Sequence, residues 1–208
     1  MKVLLINGSP NQFGATYRAL SEMVKVFNDE GVETEIVHIG AKPISGCIAC
    51  KGCYTLEGGC VIDEIVNEIA EKFKYSDGLV VASPVYYASA NGTLISLLDR
   101  LFQSSRFDKT MKVGASVAVA RRGGITATYD ELNKYFAITG MPIASGQYWN
   151  GFFGSYKEEE ADLEGLQQMR TLAKNMSFLM KSIALGKEKY GIPEREKTIR
   201  TNFIKRDK

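Results

Sequence analysis

Lys2 to Thr16 reads KVLLINGSPNQFGAT, and the reading of this stretch decides the fold. Val3, Leu4, Leu5 and Ile6 form an unbroken apolar run, which fits a strand buried on both faces of a parallel sheet. The run breaks into Asn7, Gly8, Ser9 and Pro10, then Asn11, Gly14 and Thr16, before a helical pattern begins. A strand, a loop of small and hydroxyl residues, and a helix start together build an anion cradle. Loop N–H groups point inward, and the helix N-terminus adds partial positive charge. The loop carries no Lys or Arg, so a phosphate would be held by N–H groups and hydroxyls alone. Neither the GxxxxGK[ST] spacing of a P-loop NTPase nor the GxGxxG of a dinucleotide fold is present. An ordinary βα turn competes with this reading, but the density of Gly, Ser, Asn and Thr favours a phosphate site.

Outward from that stretch, strands and helices alternate. Ala15 to Glu30 has Ala19, Leu20, Met23, Val24 and Phe27 at helical spacing, and Gly31 stops it. Glu33 to Ile39 is a second strand, and Gly40 to Gly59 a loop rich in cysteine and glycine. Asp63 is expected to open a helix whose buried face is Ile65, Val66, Ile69, Ala70 and Phe73. Gly78 to Ser83 is a third strand, followed by a loop to Ala88 and a helix from Asn91 to Phe102. Val113 to Ala120 is a fourth strand, Ile125 to Thr139 a helix, and Met141 to Trp149 a fifth strand. Tyr156 to Ile183 is a long final helix with an exposed start at Lys157 to Asp162. This α/β alternation means a doubly wound parallel sheet with helices on both faces. Ligands in such sheets bind at the carboxyl ends of strands, where three loops here carry unusual residues.

The chain has 208 residues, 45% hydrophobic and 24% charged, which suits one soluble domain with a substantial core. We expect one folded domain over 1–185 and a basic arm or tail over 186–208. Ile192, Ile199, Phe203 and Ile204 give that arm spaced apolar residues, as for packing on a neighbouring subunit. A net charge of +2 gives no broad field for nucleic acid. No apolar stretch approaches the length of a membrane span, and no signal-peptide pattern precedes the first strand. The expected location is cytoplasmic, with no nucleic-acid and no membrane partner. The single histidine, His38, rules out any His-pair chemistry, and its place in a strand pattern suggests a structural role.

The second loop, from Ser83 through Asn91 and Gly92, suits a flat, partly apolar ligand. Pro84 stiffens the turn, Ala88, Ser89 and Ala90 allow close approach, and Tyr86 and Tyr87 could lie against a ring. The third, Ala120 to Gly124, sets a glycine pair beside Arg121 and Arg122. Those arginines could reach a phosphate or a ring edge, or form a solvated basic turn.

Asn7-Gly8-Ser9-Pro10-Asn11 with Gly14 and Thr16, Ser83-Pro84-Val85-Tyr86-Tyr87, Asn91-Gly92-Thr93-Leu94 and Leu98-Asp99-Arg100 resemble the flavodoxin-like NAD(P)H-dependent FMN reductases. The resemblance covers residues 1 to 150 or so. It implies a five-stranded sheet of order 2-1-3-4-5, non-covalent FMN at the crest, and a homodimer or homotetramer. It also implies roles. Ser9, Pro10, Asn11 and Thr16 would hold the FMN phosphate. Pro84, Val85, Tyr86 and Tyr87 would line the isoalloxazine, with Asn91 and Gly92 near the ring. Ala120, Arg121, Gly123 and Gly124 would close its other side. No side chain would be catalytic, since hydride from NAD(P)H would pass to flavin N5. Electrons would then go in pairs to a quinone-like, azo or flavin acceptor, or singly to a redox protein. The family motif usually continues Gly-Asn-Thr, whereas this chain has Gly14-Ala15-Thr16, which removes one possible phosphate donor. A flavodoxin-like electron carrier without a nicotinamide step is the rival reading, and a cysteine-loop redox sensor a further one.

Cys47, Cys50, Cys53 and Cys60 give C-x2-C-x2-C-x6-C, and the first three follow the spacing of bacterial ferredoxin runs. Glycines at 46, 52, 58 and 59 let backbone fold close around sulfur. The motif resembles that of the iron–sulfur flavoproteins, a branch of the same family, and so implies a [4Fe–4S] cluster. No proline follows Cys60. A metal-free thiol loop and a zinc site of four cysteines are the alternatives, and disulfides are disfavoured in a cytosolic protein.

Overall fold

The computed structural model of the chain describes residues 1–56, 58–62, 64–154, 162–199 and 201. Its elements are β1 (Lys2–Asn7), α1 (Ala15–Asp29), β2 (Glu33–His38), α2 (Glu64–Lys74), β3 (Gly78–Tyr86), β4 (Ser89–Ala90), α3 (Gly92–Ser104), β5 (Val113–Ala120), α4 (Ile125–Ile138), β6 (Gly151–Phe153) and α5 (Leu163–Tyr190). A single 3-10 turn, Gly52–Tyr54, sits in the cysteine loop.

Alternation along the strands sorts the core into two layers. Val3 and Leu5 of β1, with Val80 and Ala82 of β3, face α1 and α5. Leu4 and Ile6, with Leu79 and Val81, face α2, α3 and α4. Each strand residue faces one of these two apolar layers, which is why the central strands read as continuous apolar runs. The parallel sheet runs β2-β1-β3-β5-β6. Counting its parallel strands alone, this is the predicted 2-1-3-4-5 order of a flavodoxin-like fold. β2 is the edge, and its polar residues are tied to neighbours: Glu35 accepts from Lys72 Nζ (2.7 Å) and pairs with Lys2 Nζ (3.0 Å).

Two segments differ from the sequence reading. The predicted loop after Ser83 is a hairpin: β3 continues to Tyr86 and β4 pairs back on it, Val85 with Ala90 and Tyr86 with Ser89. Tyr87 (φ +51°) and Ala88 (φ +63°) form the two-residue turn. That is a primed turn, whose twist suits a tight hairpin but which is usually built with Asn and Gly, so no hairpin signal stands in the residues. Glu131 of α4 secures it by accepting from Ser89 Oγ (2.6 Å) and Ala90 N–H (2.9 Å).

The predicted fifth strand, Met141 to Trp149, is displaced. Ile143 makes one parallel bridge to Gly114, the chain then leaves the sheet, and β6 resumes at Gly151 beside Ala118. The detour has a fixed interior. Asn150 is fully buried at φ +46°, and its Oδ1 accepts from Gly146 N–H (3.0 Å) and Gln168 Nε2 (3.1 Å). Its side chain replaces the ladder partners that the detour gives up.

The limits of α1 to α4 otherwise follow the sequence closely. Asp63, the predicted cap of α2, and residues 155–161 at the predicted start of the final helix lie outside the described residues. α5 starts at Leu163, capped by Asp162 accepting from Gly165 N–H (2.8 Å), and runs past its predicted end at Ile183 and the expected domain boundary at 185 to Tyr190. It packs along α1, with Arg170 Nη1 on Glu22 (2.6 Å) and Lys181 Nζ on Glu30 (2.7 Å). Beyond it Ile192 and Ile199 are exposed, and Arg195 Nη1 donates to Thr110 Oγ1 (3.3 Å). Phe203 and Ile204 lie outside the described residues.

Candidate functional site

β1 delivers its carboxyl end to a loop held by its own side chains. Asn7 Oδ1 accepts from Ser9 N–H (3.1 Å), and Asn7 Nδ2 donates to the Gln12 carbonyl (3.1 Å). Ser9 Oγ accepts from Asn11 N–H (3.1 Å), which leaves the Ser9 O–H free to donate to a ligand. His38 Nε2 stands 2.8 Å from the Ser9 carbonyl. A carbonyl only accepts, so Nε2 carries the proton and His38 pins the loop. Gly14 caps α1 without a side-chain hydrogen bond, so the first turn of α1 keeps its N–H groups for another acceptor. The hollow before it is lined by Asn11, Gln12, Phe13 and Gly14. Of the residues expected at a phosphate, Asn11 stands on that wall. Ser9 and Thr16 are buried, 5% and 2% exposed.

The second loop is bound to the first. Asn91 Nδ2 donates to the Gly8 carbonyl (2.8 Å), its N–H donates to Ser83 Oγ (2.9 Å), and its Oδ1 caps α3 by accepting from Thr93 N–H (2.9 Å). Gly8 N–H donates to the Ala82 carbonyl (2.8 Å). A Cβ on Gly8 would stand 2.6 Å from Leu94 Cδ2 and 2.8 Å from the Ala82 carbonyl oxygen, so the close approach needs glycine.

The third loop closes on the hairpin from the other side. Gly124 has φ +96°, and a Cβ there would stand 2.6 Å from Val85 Cγ1 and 2.8 Å from Ala88 Cα. Pro84 and Val85 are half-buried at this junction, while Tyr86 and Tyr87 are exposed. Gly92 and Arg121 are exposed, and Ala120 is buried. Arg122, Gly123 and Gly124 line a hollow of about 600 Å3 with Tyr148, Trp149 and Phe153. The structure thus joins the three crest loops but gives Arg122, not Arg121, to the hollow.

The four cysteines share one place. Cys47, Cys50, Cys53 and Cys60 all line a second cavity, of about 280 Å3, together with Arg100 of α3. All four are free thiols, Cys47 and Cys50 exposed. Among the described residues no group of three or more His, Cys, Asp or Glu is drawn close enough to hold a metal. The loop is nonetheless shaped by more than solvent. Ala49 (φ +53°) and Lys51 (φ +61°) flank Cys50 in the left-handed region, a strain of about 1–3 kcal/mol each that is common at ligand sites. Cys60 is clamped by Asn67, which accepts from its N–H (2.7 Å) and donates to its carbonyl (2.8 Å). Arg100, 1% exposed, donates from Nε to Cys60 Sγ (3.3 Å). A buried cation among four thiols fits an anionic thiolate group, since an unpaired buried guanidinium is otherwise costly.

Sequence reasoning missed several of these residues. His38 acts through backbone of another loop and Glu131 comes from a distant helix, so no local pattern marks them, while Asn7 stood in the quoted motif without a role. Tyr148 and Trp149 were hidden in the supposed fifth strand, and Phe153 lay just beyond it. Asp99-Arg100 stood in the quoted motif, and an arginine at a buried helical position beside Leu97, Leu98 and Leu101 was the available signal.

The family described as NADPH-dependent FMN reductase matches residues 1–154. An iron–sulfur flavoprotein of Methanocaldococcus jannaschii is 33% identical over 196 residues, covering 88% of this chain and 99% of its own. One from Methanosarcina thermophila is 31% identical over 195 residues, covering 91% and 100%. Among solved structures, RosB with a bound riboflavin-5'-phosphate intermediate superposes with a TM-score of 0.69 at 15% identity, covering 100% of this chain and 95% of that one. A crest whose first two loops are hydrogen-bonded and whose third packs on the second, on a 2-1-3-4-5 parallel sheet, and these matches, lead to one conclusion: the chain belongs to the NADPH-dependent FMN reductase family of flavin-dependent oxidoreductases, and within it is similar to the iron–sulfur flavoproteins.

Proposed function

We propose that the chain holds FMN at the crest of the sheet, takes hydride from NAD(P)H, and passes electrons to a quinone-like, azo, flavin or protein acceptor, with the four cysteines holding a [4Fe–4S] cluster. The observation that carries the flavin reading is the junction of the three crest loops, where Asn91 hydrogen-bonds Gly8 and Gly124 packs against the hairpin. The uncapped start of α1 and the uncharged loop before it fit a phosphate dianion, because nothing there repels or pre-neutralises it.

FMN, when bound, supplies the hydride and electron chemistry. The chain supplies grip and orientation. Asn11, the Ser9 hydroxyl and the first N–H groups of α1 hold the phosphate. Pro84 to Tyr87 offer backbone groups and aromatic faces along one ring edge, and Gly123 and Gly124 approach from the opposite side without a side chain between. The hollow lined by Tyr148, Trp149 and Phe153 admits a second planar ring, and Arg122, on a wall shared with Asp162 and Glu164, is its cationic donor toward a nicotinamide phosphate. The arm beyond α5 is the surface of a homodimer or homotetramer, which sedimentation of the flavin-loaded protein measures directly.

Purified protein should be yellow, and NADH or NADPH should bleach it under nitrogen. Asn11→Trp, at an exposed position of the same loop, should abolish flavin retention while circular dichroism stays native. A colourless wild-type protein that leaves FMN fluorescence unquenched overturns the flavin reading. A yellow protein that neither nicotinamide bleaches leaves an electron carrier in place of a reductase.

A further inference from the structure

Arg100 is the largest fully buried side chain among the described residues, and its contacts account for only part of it. Nε donates to Cys60 Sγ and Nη1 to the Ser45 carbonyl, each at 3.3 Å. Nη2 is buried with no partner, and no carboxylate pairs with the guanidinium among the described residues. Ser104, one helical turn further along α3, is 2% exposed, and its Oγ is likewise buried without a partner. Both residues line the cysteine cavity. Two orphaned polar groups, one of them a full positive charge, therefore border the same space as four thiols. Each such orphan is destabilising, the charged one more, unless a ligand completes it.

We propose that Arg100 is the counter-charge built into this cavity: it positions Cys60 through Nε and presents Nη2, with Ser104 Oγ, to the sulfur of the anionic group that the cysteines hold. This rests on the cluster reading above. Four thiolates on a [4Fe–4S] core leave a net negative assembly, and reduction adds one more negative charge. A buried guanidinium beside it stabilises both states, and the reduced one more. Hydrogen bonds to sulfur and local charge are the levers that set such potentials, and partners of the ligands hold metal affinity as well. Arg100 is a positioning residue here. Its removal should loosen the group and make it harder to reduce.

The test uses full-length protein, purified and reconstituted without oxygen, as wild type, Arg100→Gln and Arg100→Lys. Iron and sulfide per chain, the rate of iron loss to a chelator, and the midpoint potential in a mediated dithionite titration are read, with FMN content as the check on folding. Gln should keep FMN, lose iron about tenfold faster or more, and shift the potential negative. Lys should restore most of the potential, since it keeps the charge, while still losing iron faster than wild type, since one ammonium cannot reproduce the fork. Gln with wild-type iron loss and potential overturns the role of Arg100 and leaves the cluster reading standing. Wild type that binds zinc, or no iron and sulfide, overturns the cluster reading and this inference with it. Should Gln not fold, Lys decides: iron loss at the wild-type rate overturns the proposal.

Discussion

Gly124 shows how much of the site hangs on single atoms. Its φ of +96° and its contact with Val85 and Ala88 leave no room for a methyl group. Gly124→Ala adds a left-handed strain of about 1–2 kcal/mol and pushes the third loop off the hairpin. FMN affinity, read by fluorescence quenching, should fall about tenfold or more, with the far-ultraviolet spectrum of the protein unchanged. Gly8, by contrast, approaches the interior of the fold, so its substitution would confound folding with binding. The glycines were visible in the sequence, but not which of them faced backbone: Gly123 has open space around its missing side chain, and Gly124 has none. The same limit applied to Arg121 and Arg122. Adjacent residues of one type cannot be told apart until the loop has a direction.

At the scale of elements, helices are legible because α1, α3 and α4 each carry an apolar stripe at a period that only a helix satisfies. The strands are legible where they are buried on both faces, and misleading where tertiary contacts rather than local pattern decide. Met141 to Trp149 looks like a strand because Ile143, Ala144 and Trp149 are apolar. The buried amide of Asn150 and its Gln168 partner divert the chain, and Gln168 is far in sequence from the residues it moves. The β3–β4 turn escapes notice for the opposite reason, since Tyr87 and Ala88 are not the residues that such a turn normally selects.

β2 yields a prediction of its own. Hydrogen bonds from Lys72, and next from Lys2, hold the Glu35 carboxyl below its usual pKa of 4.5. A depressed folded-state pKa means stability that is present above the unfolded value and lost as pH falls through the folded one. Resistance to thermal unfolding should therefore weaken as pH drops below about 4.5. Glu35→Gln should flatten that acid limb and cost less than about 1 kcal/mol at neutral pH, because the pair is partly solvated. An acid limb identical in the variant would assign the loss to other carboxylates.

For the whole molecule, ligand and fold are coupled through the crest. The three loops close the carboxyl ends of β1, β3 and β5, so a group bound there stabilises the folded chain and not the unfolded one. FMN at one hundred times its dissociation constant should add about 2.7 kcal/mol. For a chain of this length that raises the midpoint of thermal unfolding by about 5–10 °C. A midpoint that ignores FMN while flavin demonstrably binds would mean that the unfolding unit does not include the crest. The α/β alternation, the three crest loops and the cysteine loop were legible in advance, because each is written in contiguous residues; the strand order followed from the family resemblance. The counter-charge beneath the thiols was not, because Arg100 meets Cys60 only once α3 lies against the loop.

The amide of Asn91 has a practical corollary for anyone who would swap parts between relatives. It clasps the Gly8 carbonyl of one loop while belonging to the other, so neither is an independent cassette. A chimera that imports the hairpin of a cousin protein with a different residue at 91 would sever the clasp and leave the native phosphate loop slack. Transplanting both segments together, with Gly8 and Asn91 kept as a matched set, is the exchange that this architecture tolerates.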